Sequence, residues 1–132
     1  MTQQILLCED DIHILKVAEF KFKGAGYDVV CTEDGQEAWE HLQCQRSDLL
    51  ITDCQMPRLD GIGLVERIRA SELGFDLPII MLTAKGFELP KAELRDRLGV
   101  AEIINKPFSP RKLLERAEAL LNSTTTLQTP SL

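Results

Sequence analysis

Short apolar runs alternate along the chain with segments of helical periodicity, and this alternation repeats five times. The apolar runs are residues 5–8, 27–31, 49–51, 77–82 and 101–105. The helical segments are residues 12–23, 36–45, 62–71, 85–98 and 110–121. Nearly continuous apolar runs suit strands that are buried on both faces, as in a parallel sheet. The pattern therefore predicts an α/β fold in which one parallel sheet carries helices on both faces.

Length and composition indicate one domain. The chain has 132 residues, of which 44% are hydrophobic, enough for a single core flanked by helices. Residues 122–132 are rich in Ser and Thr and show no periodicity. We therefore expect a domain over residues 1–121 and a disordered C-terminal tail over residues 122–132.

Charge and hydropathy disfavour two classes of partner. The chain carries 15 basic and 21 acidic side chains, a net charge of −6, and has no basic stripe with interleaved aromatic residues. Direct binding to nucleic acid is therefore not expected. No apolar run approaches the roughly 20 residues that a membrane span needs, and the first residues lack a signal-peptide pattern. We expect a cytoplasmic protein without a membrane partner.

The four cysteines show no metal-binding spacing. Cys8, Cys31 and Cys54 lie in or beside predicted core strands, and Cys44 lies in a predicted helix. Buried, reduced thiols in a cytosolic protein are the expected state.

The third apolar run brings a carboxylate, Asp53, to the end of its strand. Pro57 cannot donate to a strand ladder and Asp60 with Gly61 signals a turn, so the strand must end there. In open α/β sheets the carboxyl edge is where ligands bind. A carboxylate at this edge is costly unless another group pairs with it.

The first apolar run ends in three consecutive acids, Glu9, Asp10 and Asp11. Asp11 is explained as the N-cap of the following helix, whereas the other two acids are not. If the first and third strands are neighbours, Asp10 and Asp53 converge with Glu9 nearby. Oxygen ligands of this kind suit a hard divalent cation, and Mg²⁺ is preferred because it binds few protein carboxylates.

Two further polar side chains lie at predicted strand ends. Thr83 follows the fourth strand and is either a donor to an added oxyanion or an N-cap. Lys106 follows the fifth strand and is held by Pro107. It is either a cation for the acid cluster or an ordinary solvated lysine.

The first helix has an apolar stripe that we expect to run through Ile14, Ala18 and Phe22, with Val17 beside it and Leu15 at its border. Ile12 and Phe20 lie off this stripe. They either form a docking surface for a partner or pack under a neighbouring loop.

These motifs, taken together, resemble the CheY-like receiver domain of bacterial two-component response regulators. The resemblance covers about residues 4–121. It is carried by residues 5–11 (ILLCEDD), 52–57 (TDCQMP) with 60–61 (DG), 81–84 (MLTA) and 105–108 (NKPF). It implies a single doubly wound (βα)5, flavodoxin-like domain with a five-stranded parallel sheet of order 2-1-3-4-5.

The resemblance implies a role for each acid. Asp53 matches the phosphoacceptor, which attacks a phosphohistidine and becomes an aspartyl phosphate. Mg²⁺ would be held by Asp10, Asp53 and the backbone carbonyl of Gln55, with Glu9 acting through water. The cation would offset the repulsion between these acids and the incoming phosphoryl group.

The resemblance also assigns the groups opposite the acids. Thr83 and Lys106 would bind phosphoryl oxygens, and the Lys106–Pro107 peptide bond should be cis. Family members often carry an aromatic residue three positions before the lysine, where this chain has Ile103. The usual aromatic switch is therefore in doubt for this chain.

The implied function is a phosphorylation-switched signalling module. A sensor histidine kinase or a histidine phosphotransfer protein would phosphorylate Asp53, and a downstream protein target or output domain would read the change. Catalysis would be limited to slow self-phosphorylation from small donors and slow self-dephosphorylation. The chain resembles a stand-alone receiver, and the alternative is a receiver fragment of a larger response regulator or hybrid histidine kinase.

Three other functions fit the sequence less well. A phosphohydrolase like the haloacid dehalogenases would need a second acid two residues after Asp53, where this chain has Gln55. A flavodoxin-like cofactor binder would need a phosphate loop after the first strand, where the acids would repel a phosphate. An interaction scaffold that is never phosphorylated should have a degraded acid pocket, yet every expected position is filled.

Overall fold

The computed structural model describes residues 2–72, 76–84 and 91–128. Its elements, in chain order, are β1 (Gln4–Cys8), α1 (Ile12–Gly24), β2 (Asp28–Thr32), α2 (Gly35–Cys44), β3 (Leu49–Asp53), α3 (Gly61–Ala70), β4 (Ile79–Thr83), α4 (Lys91–Asp96), β5 (Glu102–Asn105) and α5 (Pro110–Gln128). The predicted alternation of five strands with five helices is confirmed.

All strand pairs of the sheet are parallel, in the order β2-β1-β3-β4-β5. The doubly wound, flavodoxin-like α/β fold expected from the sequence is therefore confirmed. The register aligns the carboxyl ends of neighbouring strands. Cys8 at the end of β1 lies beside Thr52 of β3, and Thr83 at the end of β4 lies beside Asn105 of β5. Residues that follow different strands are thereby brought to one edge.

Hydrophobic side chains form one buried cluster on each face of the sheet. On one face, strand residues pack against α2, α3 and α4; this cluster includes Leu6, Leu50, Met81, Ala38, Leu42, Leu64, Val65, Ile68 and Leu94. On the other face, they pack against α1 and α5; this cluster includes Ile5, Leu7, Leu49, Ile51, Ile80, Leu82, Leu15, Ala18, Phe22, Leu113, Ala117 and Leu121. Alternate residues of a strand point to opposite faces, so both faces of the central strands must be apolar.

The buried stripe of α1 differs from the predicted one. Leu15, Ala18 and Phe22 are buried, whereas Val17 is 49% exposed. Leu15 and Val17 are two residues apart and project in nearly opposite directions from the helix, so both cannot face the sheet. Packing under a loop does not explain Phe20, which is 82% exposed.

Several element boundaries also differ from the predictions. Asp34 and Asp60 are N-caps, so α2 and α3 each begin one residue earlier than expected. The predicted start of the fourth helix, at residues 85–90, lies outside the described residues. The last helix continues to Gln128 rather than ending at residue 121. The division into a domain over 1–121 and a tail over 122–132 stays a prediction. Within the described ranges, no helix combines the length and the hydropathy needed to span a membrane.

Candidate functional site

Three carboxylates meet at the carboxyl edge of the sheet. Glu9 and Asp10 follow β1, Asp53 ends β3, and β1 and β3 are neighbours. One oxygen atom from each of the three side chains lies within 4.8 Å of the other two. Glu9 and Asp53 are buried, whereas Asp10 is exposed. The convergence predicted for these three acids is thus present in the structure.

Lys106 lies directly against the two buried acids. Its Nζ atom is 2.7 Å from Glu9 Oε1 and 3.2 Å from Asp53 Oδ1. The alternative of a solvated surface lysine is therefore wrong. The Lys106–Pro107 peptide bond is cis, as the resemblance implied. The positive charge of Lys106 offsets part of the repulsion between the Glu9 and Asp53 carboxylates.

Burial and this ion pairing act on the same groups in opposite directions. Burial raises the pKa of Glu9 and of Asp53 above the usual range, and Lys106 counteracts the rise at both. Burial by itself would lower the pKa of Lys106, but its contacts with the two acids raise it. Lys106 therefore remains a cation, and the acids lie where an additional positive charge is favourable.

Thr83 provides a hydroxyl group at the end of β4. It is 1% exposed, and its Oγ1 atom has no hydrogen-bond partner among the residues that the structure describes. A buried unpaired hydroxyl is unfavourable, which marks this one as a candidate ligand-binding group. The alternative role as an N-cap involves residues 85–90, which lie outside the described residues.

The loop of residues 54–60 connects β3 to α3 and passes beside the acids. Cys54 N donates to Leu82 O at 2.8 Å, and Gly61 N donates to Cys54 O at 2.9 Å. A Cβ atom at Gly61 would overlap Asp53 O, so only glycine allows this close approach. Gln55 lies in this loop with an exposed side chain. Its carbonyl as a metal ligand stays a prediction.

Two contacts were missed at the sequence level. Lys106 was expected as a cation for the acid cluster, but its direct contact with Glu9 was not specified, because Glu9 was assigned to the metal through water. An ion pair between Arg58 and Asp34 links the loop 54–60 to the start of α2. Nothing in the sequence signals it, because an arginine after a proline in an exposed loop is ordinary.

Comparison with known proteins agrees with this geometry. The family model for the response regulator receiver domain matches residues 5–118. The alkaline phosphatase synthesis transcriptional regulatory protein PhoP of Bacillus subtilis is 37% identical over 121 residues, which are 92% of this chain and 49% of PhoP. The chain thus spans about half the length of this relative.

Solved structures show the same fold over nearly the whole chain. The receiver domain of the sensor histidine kinase PA1611 from Pseudomonas aeruginosa, which has a magnesium ion coordinated in its active-site cleft, is 33% identical with a TM-score of 0.81. The match covers 92% of this chain and 99% of that one. The chemotaxis response regulator CheY4 of Vibrio cholerae is 28% identical with a TM-score of 0.81, covering 90% and 98%. The chain therefore belongs to the family of response regulator receiver domains, which act in two-component signalling.

Proposed function

We propose that this receiver domain takes up a phosphoryl group on Asp53 in a Mg²⁺-dependent reaction and thereby changes its conformation. The observation that carries this proposal is the position of Asp53. The residue is buried at the carboxyl edge of the sheet, with two further carboxylates within 4.8 Å and a lysine 3.2 Å away. Asp53 thereby contacts both the acids and the cation, as a phosphoacceptor requires. Glu9 has the same neighbours, and the family motif at residues 52–57 supports Asp53 as the acceptor.

The reaction is a displacement at phosphorus. A carboxylate oxygen of Asp53 forms a bond to phosphorus while the bond from phosphorus to the donor's imidazole nitrogen breaks. The electron pair of that bond returns to the imidazole nitrogen, and Asp53 becomes an aspartyl phosphate. Because the attacking group is already a carboxylate, catalysis depends mainly on positioning and electrostatics.

The acid cluster fits Mg²⁺ by the chemistry of its donors. Glu9, Asp10 and Asp53 offer only oxygen atoms, which hard divalent cations prefer. Asp10, Asp53 and the backbone carbonyl of Gln55 would hold the ion, with Glu9 acting through water. When bound, the ion supplies positive charge that offsets the repulsion between the acids and the phosphoryl group.

Lys106 and Thr83 would bind the oxygens of the new phosphoryl group. The two residues are linked through the backbone, since Lys106 N donates to Thr83 O at 2.7 Å. The Thr83 hydroxyl, which has no partner in the described part of the chain, would gain an acceptor. Lys106 would exchange contacts with acids for contacts with phosphoryl oxygens. Moving a two-state equilibrium from 1:99 to 99:1 takes about 5.5 kcal/mol, a demand that charge-assisted contacts of this kind can meet.

The conformational change would reach the surface through β4 and β5. Ile103 of β5 lies beside Met81 of β4 and packs, partly buried, against the cluster on that face. With isoleucine at this position, the signal would pass by a shift of the β5 backbone and its packing rather than by rotation of an aromatic ring.

The phosphoryl donor would be a sensor histidine kinase or a histidine phosphotransfer protein, and the recipient a downstream protein or output domain. Support comes from the family and from relatives named as a histidine kinase receiver and a transcriptional regulator. An apolar cavity of about 220 Å³ lies beside Lys106 and is lined by Val17 and Phe108 among others. It would offer the donor an apolar contact next to Lys106.

Labelling with acetyl phosphate tests the proposal directly. In the presence of Mg²⁺, the wild-type chain should gain the mass of one phosphoryl group, and Asp53→Asn should gain none. Asp28→Asn is the matched control, because Asp28 is an exposed aspartate at the opposite end of a strand. Equal labelling of Asp53→Asn and the wild type would refute the assignment of Asp53.

A further inference from the structure

We propose that Arg58 and Asp34 form a clamp that positions the loop 54–60 for binding of the divalent cation. This inference rests on the proposed function, since its role is to hold the loop that carries Gln55 beside Asp53. Neither residue touches the reacting atoms in this scheme. Both are positioning residues.

The clamp has the geometry of a bidentate ion pair. Arg58 Nε donates to Asp34 Oδ2 at 3.0 Å, and Arg58 Nη2 donates to Asp34 Oδ1 at 3.1 Å. Two parallel bonds fix the direction of the guanidinium group as well as its distance. Asp34 is itself held in place, because its Oδ1 accepts from Glu37 N at 2.8 Å as the N-cap of α2. The clamp thus joins the loop to the start of a helix.

The backbone beside Arg58 is attached to the same point. Leu59 O accepts a hydrogen bond from Gly35 N at 3.0 Å. A Cβ atom on Gly35 would overlap Leu59 O, so the loop lies directly against the helix start. Arg58 has a φ of 66°, in the left-handed region that non-glycine residues rarely adopt. The contacts on both sides of the residue hold it there.

The loop is also held at its other positions. Met56 Sδ accepts from Cys8 Sγ at 3.2 Å, and Cys8 directly precedes Glu9. This contact ties the loop to β1, and the hydrogen bond from Gly61 N to Cys54 O joins the two ends of the loop. The clamp and the hydrogen bond from Gly35 N to Leu59 O together tie the loop to α2. Releasing the clamp would leave only that backbone bond on the α2 side, and so loosen the loop while the carboxylates stayed in place.

The effect should appear in cation binding rather than in stability. The Arg58 side chain is 57% exposed and that of Asp34 is 16% exposed, and ion pairs near the surface stabilise the fold only weakly. Freeing the loop means that part of the population no longer presents the Gln55 carbonyl. We expect a roughly two- to five-fold increase in the Mg²⁺ dissociation constant, within the range of such pairs.

Two substitutions remove the clamp with little other change. Arg58→Asn removes the guanidinium while supplying a residue that tolerates positive φ. Asp34→Asn keeps an N-cap acceptor but removes the charge. A purely electrostatic effect would have opposite signs in the two variants, because one loses a positive and the other a negative charge near a cation site. The clamp predicts weaker Mg²⁺ binding in both.

Isothermal titration calorimetry of Mg²⁺ binding, together with labelling by acetyl phosphate, tests the inference. Both variants should bind Mg²⁺ two- to five-fold more weakly, and the double variant should equal either single variant. Their labelling rates should return to the wild-type value at saturating Mg²⁺. Arg67→Gln is the matched control, since Arg67 of α3 also bridges to α2, through Gln36, but does not touch the loop.

The outcomes separate this inference from the proposed function. If the wild type binds Mg²⁺ and both variants keep its affinity, or shift it in opposite directions, the clamp is overturned and the function stands. If the wild type binds no Mg²⁺, the metal site fails and the clamp's role fails with it. An equal loss of affinity in Arg67→Gln would also overturn the inference.

Discussion

At the scale of single residues, two buried threonines illustrate the difference between a structural and a functional hydroxyl. Thr32 and Thr83 both end a strand, at 3% and 1% exposure. The Thr32 hydroxyl donates to Leu7 O at 2.9 Å, whereas that of Thr83 has no partner among the described residues. A paired hydroxyl contributes to stability, and an unpaired one opposes it.

Substitution by valine, which keeps the shape, should therefore act in opposite directions at these two sites. Thr32→Val should lower the free energy of unfolding by about 1 kcal/mol, and Thr83→Val should leave it unchanged or raise it. Thr83→Val should also slow labelling by acetyl phosphate by roughly ten-fold, because a hydrogen bond to a charged group is lost. Urea denaturation and the labelling rate measure the two effects. A clear loss of stability in Thr83→Val would contradict the unpaired state of its hydroxyl.

The four thiols should differ sharply in reactivity. Burial raises the pKa of Cys8 to about 12 and those of Cys31 and Cys54 to about 11, whereas Cys44 is exposed at the end of α2. Since the thiolate is the reactive form, iodoacetamide at pH 8 should modify Cys44 first. Intact mass should show one fast modification that Cys44→Ser abolishes. Fast modification of any thiol in that variant would contradict the low reactivity expected of Cys8, Cys31 and Cys54.

At the scale of elements, α1 presents two unlike faces. One face packs on the sheet through Leu15, Ala18 and Phe22. The other exposes Val17 and Phe20 at 49% and 82%. The periodicity of the sequence predicted an amphipathic helix correctly, but its apolar residues are too numerous to define a single stripe. Contacts of α1 with α5 and with the sheet determine which of its faces is buried.

Two phenylalanines on this helix provide a matched comparison. Phe22→Ala should lower the free energy of unfolding by about 3–5 kcal/mol, because the buried ring leaves a cavity. Phe20→Ala should change it by less than about 0.5 kcal/mol, as is usual for surface substitutions. Thermal or urea denaturation measures both values. A large loss in Phe20→Ala would mean that the ring is covered.

At the scale of the whole molecule, the site collects charge from elements that are far apart in the chain. Glu9 and Asp10 follow β1, Asp53 ends β3 and Lys106 follows β5. Folding therefore has to bring three acids within 4.8 Å of one another. Part of the repulsion remains after Lys106 is counted, and a cation that binds only the folded state should stabilise the molecule.

Mg²⁺ should accordingly raise the melting temperature. At ten times its dissociation constant, an ion that binds only the folded state adds about 1.4 kcal/mol, equivalent to roughly 3–6 °C for a domain of this size. Asp10→Asn should abolish this shift, and its melting temperature without Mg²⁺ should equal or exceed that of the wild type. Differential scanning calorimetry at constant ionic strength makes the measurement, with Asp28→Asn as the control. A full Mg²⁺ shift in Asp10→Asn would exclude Asp10 as a ligand.

Much of the fold and of the candidate site could be predicted from local sequence patterns. Apolar runs and helical periodicity lie within short stretches of chain, so the five strands, the five helices and the polar residues at the strand ends followed directly. Local patterns did not give the exact helix boundaries. With Asp34 and Asp60 as N-caps, α2 and α3 each begin one residue before the predicted start. The strand order came from the family resemblance, because periodicity does not state which strands are neighbours.

The sequence by itself determined which residues are buried in strands and which polar groups reach one edge of the sheet, since both follow from short-range alternation. The tertiary structure decided which of these groups touch. The ion pair of Lys106 with Glu9 and the link from Arg58 to Asp34 join residues far apart in the chain, and the Thr83 hydroxyl has no partner among the described residues. Contacts of this kind depend on the distances between packed elements, which no local pattern of residues encodes.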